Sequence, residues 1–99
     1  MTITKTVNES ELTLALQGRL DTTTAPQLES ALKDSLPEAE NMEKLVMDFA
    51  QLEYVSSAGL RVLLTTQKQM AGKMVIKNVC EDIMEVFEIT GFADILTIE

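Results

Sequence analysis

Leu45-Val46-Met47-Asp48-Phe49-Ala50-Gln51-Leu52-Glu53-Tyr54-Val55-Ser56-Ser57-Ala58-Gly59-Leu60 is the run from which the architecture of this 99-residue chain can be read. The apolar segment Leu45–Phe49 predicts a buried strand. A short connection follows. Ser56-Ser57-Ala58-Gly59 then opens an amphipathic helix reaching Met70, with Leu60, Leu63, Leu64, Gln67 and Met70 or Ala71 on one face and Gly72 as a left-handed stop. A strand that hands over to a helix brings both hydroxyls to a place where backbone N–H groups are unpaired and partial positive charge collects.

Towards the C-terminus, Met74-Val75-Ile76 predicts another strand. Glu81 and Asp82 suit the start of a third helix, because acids there complement the helix dipole. Ile83, Val86, Phe87 and Thr90 or Gly91 follow at helical spacing, and Ile95-Leu96-Thr97-Ile98 predicts a last strand.

Towards the N-terminus, Ile3, Lys5 and Val7 alternate with threonines, and Leu12, Leu14 and Leu16 alternate with Thr13, Ala15 and Gln17. With the polar link Asn8–Glu11 between them, these runs predict a hairpin with one buried face. Thr24-Ala25-Pro26-Gln27 has the spacing of a capping box, with proline in the first helical turn. Leu28, Ala31, Leu32 and Leu36 then form a helical stripe that Pro37 is expected to end, and residues 38–43 make an acidic connection. The resulting order is β-β-α-β-α-β-α-β. It predicts an α/β fold in which a single mixed sheet of about four to five strands carries its helices mainly on one face.

Composition narrows the function. Apolar residues make up 45% of the chain, which predicts one ordered domain over residues 1–99. The net charge of −8 argues against direct nucleic-acid contact and against an anionic membrane surface. One cysteine and no apolar leader predict a cytoplasmic protein, and Cys80 is expected to be a small buried hydrophobe. The chain has no histidine, so the commonest base and metal ligand is missing. No catalytic group, metal or cofactor is expected, and no phosphate loop of the G-x-x-x-x-G-K type occurs.

A hydroxyl at a helix start has two readings. As an N-cap, Ser57 or Ser56 would accept a backbone N–H and contribute about 1 kcal/mol. As a regulatory site, it would acquire a phosphate of about −1.5 to −2 charges, welcomed by the unpaired N–H groups.

Two blocks, Gly18-Arg19-Leu20-Asp21 ahead of the Thr24–Pro26 helix start and Tyr54-Val55-Ser56-Ser57-Ala58-Gly59-Leu60, resemble those of the STAS domain, in particular of bacterial anti-sigma factor antagonists (anti-anti-sigma factors). The likeness spans nearly the full chain and implies a STAS-like fold and a role in transcription regulation by partner switching. By that likeness Ser57 is the phosphorylated serine. The unmodified protein would bind an anti-sigma factor that is also a serine-protein kinase and so free a sigma factor. Phosphorylation would release it, and a PP2C-type phosphatase would reset it. Ser56 stands where an aspartate is frequent, Ala58 replaces a frequent second serine, and Arg19 takes a place commonly acidic. Ser56 is therefore a competing phosphosite. The partner surface implied is Asp21, Thr22, Thr23, Ser56, Ala58, Gly59 and Arg61.

Other readings of these residues stand beside that one. Asp21 suits a turn or an alternative cap with Thr22–Thr24 as well as a partner contact. Gly59 suits a close approach of the helix start to its neighbours. Arg61 is expected to be exposed, free for a partner or a nucleotide. Asp48 invites comparison with a receiver-domain phospho-acceptor, but the first strand lacks the acid pair that would hold magnesium, so a strand-end hydrogen-bond acceptor is expected. Met42, Met47, Met70, Met74 and Met84 are expected to fill core gaps. The hairpin edge or an apolar patch around the helix starts could pair two copies into a weak homodimer. The alternative function is a STAS-type ligand or nucleotide sensor outside any sigma-factor circuit.

Overall fold

The computed structural model describes residues 1–70 and 72–99; the expected place of Ala71 on the second helix lies outside them. Strands β1 (Thr2–Asn8), β2 (Glu11–Leu20), β3 (Lys44–Val55) and β4 (Met74–Lys77) form one sheet in the order β1-β2-β3-β4. β1 pairs antiparallel with β2, whereas β2–β3 and β3–β4 are parallel. Helices α1 (Ala25–Ala39) and α2 (Ser57–Gln69) make the two parallel crossovers, and α3 (Glu81–Thr90) follows β4. Crossovers of one hand that step in the same direction put their helices on the same face. The core confirms it: Leu12, Leu14 and Leu16 of β2, Met47 and Phe49 of β3 and Ile76 of β4 share one cluster with Leu28, Leu63 and Phe87 of the helices. This is the expected mixed sheet with its helix layer.

β3 corrects the expectation of a strand ending at Phe49. It runs on to Val55, because two register shifts against β2 each insert one extra β3 residue. Ala15 faces Asp48 but Gln17 faces Gln51; Gly18 faces Leu52 but Arg19 faces Tyr54. The buried positions are therefore Phe49, Leu52 and Val55, three apart instead of two. Bulges restore the inward direction after each break in alternation. Asp48 Oδ1 accepts the Ala50 N–H at 3.0 Å beside the first bulge, and Asn78 Nδ2 at 2.9 Å. The expected acceptor role of Asp48 is met, mid-strand rather than at a strand end.

Four further expectations need correction. Pro37 lies inside α1, which continues to Ala39. A proline so near a C-terminus removes at most one helical bond, and Asn41 Nδ2 donates to its carbonyl at 3.2 Å. The Thr24–Gln27 capping box does not form, since Gln27 Nε2 donates instead to the Met1 carbonyl at 2.8 Å. The fifth strand shrinks to one bridge, Ile76 to Ile98, because a 3-10 turn at Phe92–Asp94 takes up the chain after Gly91. Cys80 is exposed: it is the N-cap position of α3, and the next inward residue is Ile83.

The hairpin is buried mostly through β2. On β1 only Ile3 is half-buried, while Val7 is 47% exposed and the Lys5 amine pairs with Glu38 of α1. Met47, Met70 and Met74 are buried, and Met42 and Met84 pack partly against the core, as expected.

Candidate functional site

β3 delivers the chain directly into α2. The Ser56 N–H donates to the Leu20 carbonyl at 2.8 Å, so the last residue of β2 holds the first residue after β3. Ser56 then leaves the strand with φ −98° and ψ 174°, and its hydroxyl accepts the Gly59 N–H at 3.4 Å. The Ser56 carbonyl accepts the Leu60 N–H at 2.9 Å, closing the first helical turn. Ser56 is thus the N-cap, and Ser57 is the first helical residue, exposed to solvent. The adjacent serines differ in duty: one hydroxyl caps, the other is free of that task.

Gly59 allows this packing. A Cβ at its position would lie 2.6 Å from Leu20 Cγ, 2.9 Å from Leu20 Cδ2 and 3.2 Å from the Leu20 carbonyl oxygen. Leu20 is fully buried, so α2 can sit this close to β2 only with glycine there. The first turn of α2 carries no acidic side chain, unlike that of α3 with Glu81 and Asp82. The N–H groups at its start therefore keep their positive character.

Asp21 borders this helix start. Its Oδ1 accepts from the Thr23 N–H at 3.0 Å and the Thr24 N–H at 3.1 Å, folding the turn into α1. Thr24 Oγ1 accepts from the Asp21 N–H at 2.8 Å and donates to the Arg19 carbonyl at 2.7 Å. The Thr24 N–H, with help from its hydroxyl, the Thr23 N–H and Arg19, holds the Asp21 carboxyl below its ordinary range. The turn reading of Asp21 is what the geometry shows, and its side chain keeps 31% exposure.

Arg19 and Tyr54 are a pair that the sequence did not announce. The guanidinium carbon lies 4.2 Å from the centre of the Tyr54 ring, and Arg19 Nε is 3.8 Å from Asp21 Oδ2. Only the second β3 bulge puts these residues opposite one another, so no spacing rule could have found them.

Arg61 is exposed, one turn along α2 from Ser57. It helps line a groove of about 230 Å³ with Thr22, Ala25, Pro26, Glu29 and Ala58. A second hollow of about 200 Å³ continues along the α1–α2 seam over Leu32, Leu36 and Val62. Thr22 is exposed on this groove, and Thr23, next to it in the chain, is exposed as well. The structure therefore gathers Asp21, Thr22, Thr23, Ser56, Ser57, Ala58, Gly59 and Arg61 at one end of the helix layer, although Gly59 itself is buried. Leu60 and Leu63 are core, and Leu64 is only half-buried. Among the described residues no helix is long and apolar enough to cross a membrane.

The STAS domain model matches residues 2–99. BtrV of Bordetella bronchiseptica, assigned as an anti-sigma factor antagonist, is 36% identical over 99% of this chain and 85% of its own length. The anti-sigma-B factor antagonist of Bacillus subtilis is 31% identical over 92% of this chain and 84% of its own. Among solved structures, the phosphorylated form of the Bacillus cell fate determinant SpoIIAA superposes with a TM-score of 0.71. It is 17% identical over 99% of this chain and 91% of its own.

Proposed function

The chain belongs to the STAS domain family, and from that premise we propose that it is an anti-sigma factor antagonist switched by phosphorylation of Ser57. Residues 1–99 act as one STAS-like domain in the cytoplasm, by binding rather than by turnover. The unmodified protein binds an anti-sigma factor that doubles as a serine kinase and so releases a sigma factor. Phosphorylation ends that complex, and a PP2C-type phosphatase restores it. The names of the relatives support the antagonist role.

One observation carries the choice of Ser57 over Ser56. The Ser56 hydroxyl accepts the Gly59 N–H in capping α2, whereas Ser57 is the first helical residue and exposed. A kinase can reach Ser57 without dismantling the cap. The phosphate then faces the unpaired N–H groups of a helix start that lacks an acidic side chain. The backbone need not move. A partner packed on this surface meets a dianion, and like-charge or desolvated contacts there cost several kcal/mol, enough to end a tight complex.

The groove of about 230 Å³ beside Arg61 favours a second reading, a sensor that receives an anionic ligand or nucleotide there. The deciding experiment is mass analysis after incubation with ATP and candidate anti-sigma-type serine kinases from the same genome. Phosphate on Ser57, lost in Ser57→Ala and kept in Ser56→Ala, is the expected result. Modification of Ser56 alone would overturn the assignment. No phosphate from any candidate, with a nucleotide that raises Tm, would favour the sensor.

A further inference from the structure

We propose that Arg61 is the internal receptor of the Ser57 phosphate, so that modification changes two side chains of the partner surface together. This rests on the reading of Ser57 as the phosphorylated residue and adds how the modified state is held. Ser57 and Arg61 are four residues apart on α2, and both are exposed. Helical residues at this spacing are neighbours, and an acid placed N-terminal to a base is the favourable orientation. Helical side chains also lean towards the N-terminus, which carries a residue at 61 back over the turn that holds 57. A guanidinium can meet phosphate oxygens through two parallel N–H bonds.

The surrounding charges single out Arg61 over the other nearby cation. Arg19 is stacked on Tyr54 and lies beside Asp21. Arg61 makes no ion pair within 4 Å among the described residues, although Glu29 of α1 lines the same groove. The charged side chains around this surface are Arg61 of α2, Arg19 of β2, Asp21 of the β2–α1 connection and Glu29 of α1. In the unmodified protein Arg61 offers its charge to the groove that Thr22, Ala25 and Pro26 also line. With Ser57 phosphorylated, that charge is taken up within α2. The groove mouth then passes from a balanced Arg61 and Glu29 to a net negative surface, and an acidic side chain of a partner loses its counterpart.

The test uses full-length protein in which phosphoserine is incorporated at position 57 during translation, so it does not depend on any kinase. Phosphorus NMR titration gives the midpoint of the second phosphate ionisation in the wild-type background, in Arg61→Gln and in Arg19→Gln. The expected midpoint is lower in wild type than in Arg61→Gln by a few tenths of a unit, as an exposed helical ion pair supplies. Arg19→Gln is expected to leave it near wild type. The Arg61 Nε–H resonance is expected to move on phosphorylation. Equal midpoints in wild type and Arg61→Gln, or a shift lost only in Arg19→Gln, would overturn the assignment. Neither result bears on whether a kinase modifies Ser57, which the mass analysis above decides separately.

Discussion

Replacing Gly59 by alanine tests the contact that seats α2 on the sheet. Helix propensity alone favours the change, by up to about 1 kcal/mol. The structure opposes it: the new methyl would come 2.6 Å from Leu20 Cγ and 2.9 Å from Leu20 Cδ2. Leu20 is fully buried and cannot swing into solvent, and its carbonyl, 3.2 Å away, is engaged with the Ser56 N–H. Forcing an extra methyl into such a site costs about 1–3 kcal/mol. The balance is a loss of roughly 1–2 kcal/mol, or about 4–16 °C in Tm for a domain of this size. Urea unfolding followed by far-UV circular dichroism reads it directly. The double variant Leu20→Ala/Gly59→Ala sharpens the test. Leu20→Ala alone costs about 2–5 kcal/mol, and it should cost less where the methyl added at position 59 fills the space, giving a coupling of about 1 kcal/mol. A Gly59→Ala protein as stable as wild type, or more stable, would refute the reasoning.

Ser56→Ala should lose about 0.5–1 kcal/mol, the lower part of the capping range because its bond is long, while Ser57→Ala stays within about 0.5 kcal/mol of wild type; chemical denaturation separates them. Asp21 has its carboxyl ionisation held down in the folded state, so its contribution is present above the ordinary carboxylate range and lost as pH falls below about 4. The stability difference between wild type and Asp21→Asn should accordingly be flat near neutrality and shift only in acid; a change near pH 7 would contradict it. Cys80, exposed at the start of α3, should react stoichiometrically with a thiol reagent in the native protein. Reaction only after unfolding would place it in the core.

Much of the fold was legible because local patterns carry it. The 3.6-residue stripe of Leu60, Leu63 and Met70, the left-handed Gly72, and the acids opening α3 each specify an element through its own backbone and side chains. Where the reading failed, a competing contact, tertiary or local, overrode the expected one. Gln27 left its capping box for the Met1 carbonyl. The C-terminal apolar run lost its strand to the turn at Phe92–Asp94. The apolar run that stops at Phe49 did not end β3, because pairing with β2 absorbed the extra residues as bulges.

The site divides the same way. A strand passing into a helix through Ser56 and Ser57 is a property of the sequence, since hydrophobic periodicity and capping chemistry are local. Which serine caps, how Arg19 comes to lie over Tyr54, and why position 59 excludes a side chain were decided by the tertiary structure. Each depends on β2 lying beside β3 in one bulged register, and pairing between residues so far apart in the chain, Glu11 with Lys44 and Leu20 with Val55, is set by the packing of the whole sheet.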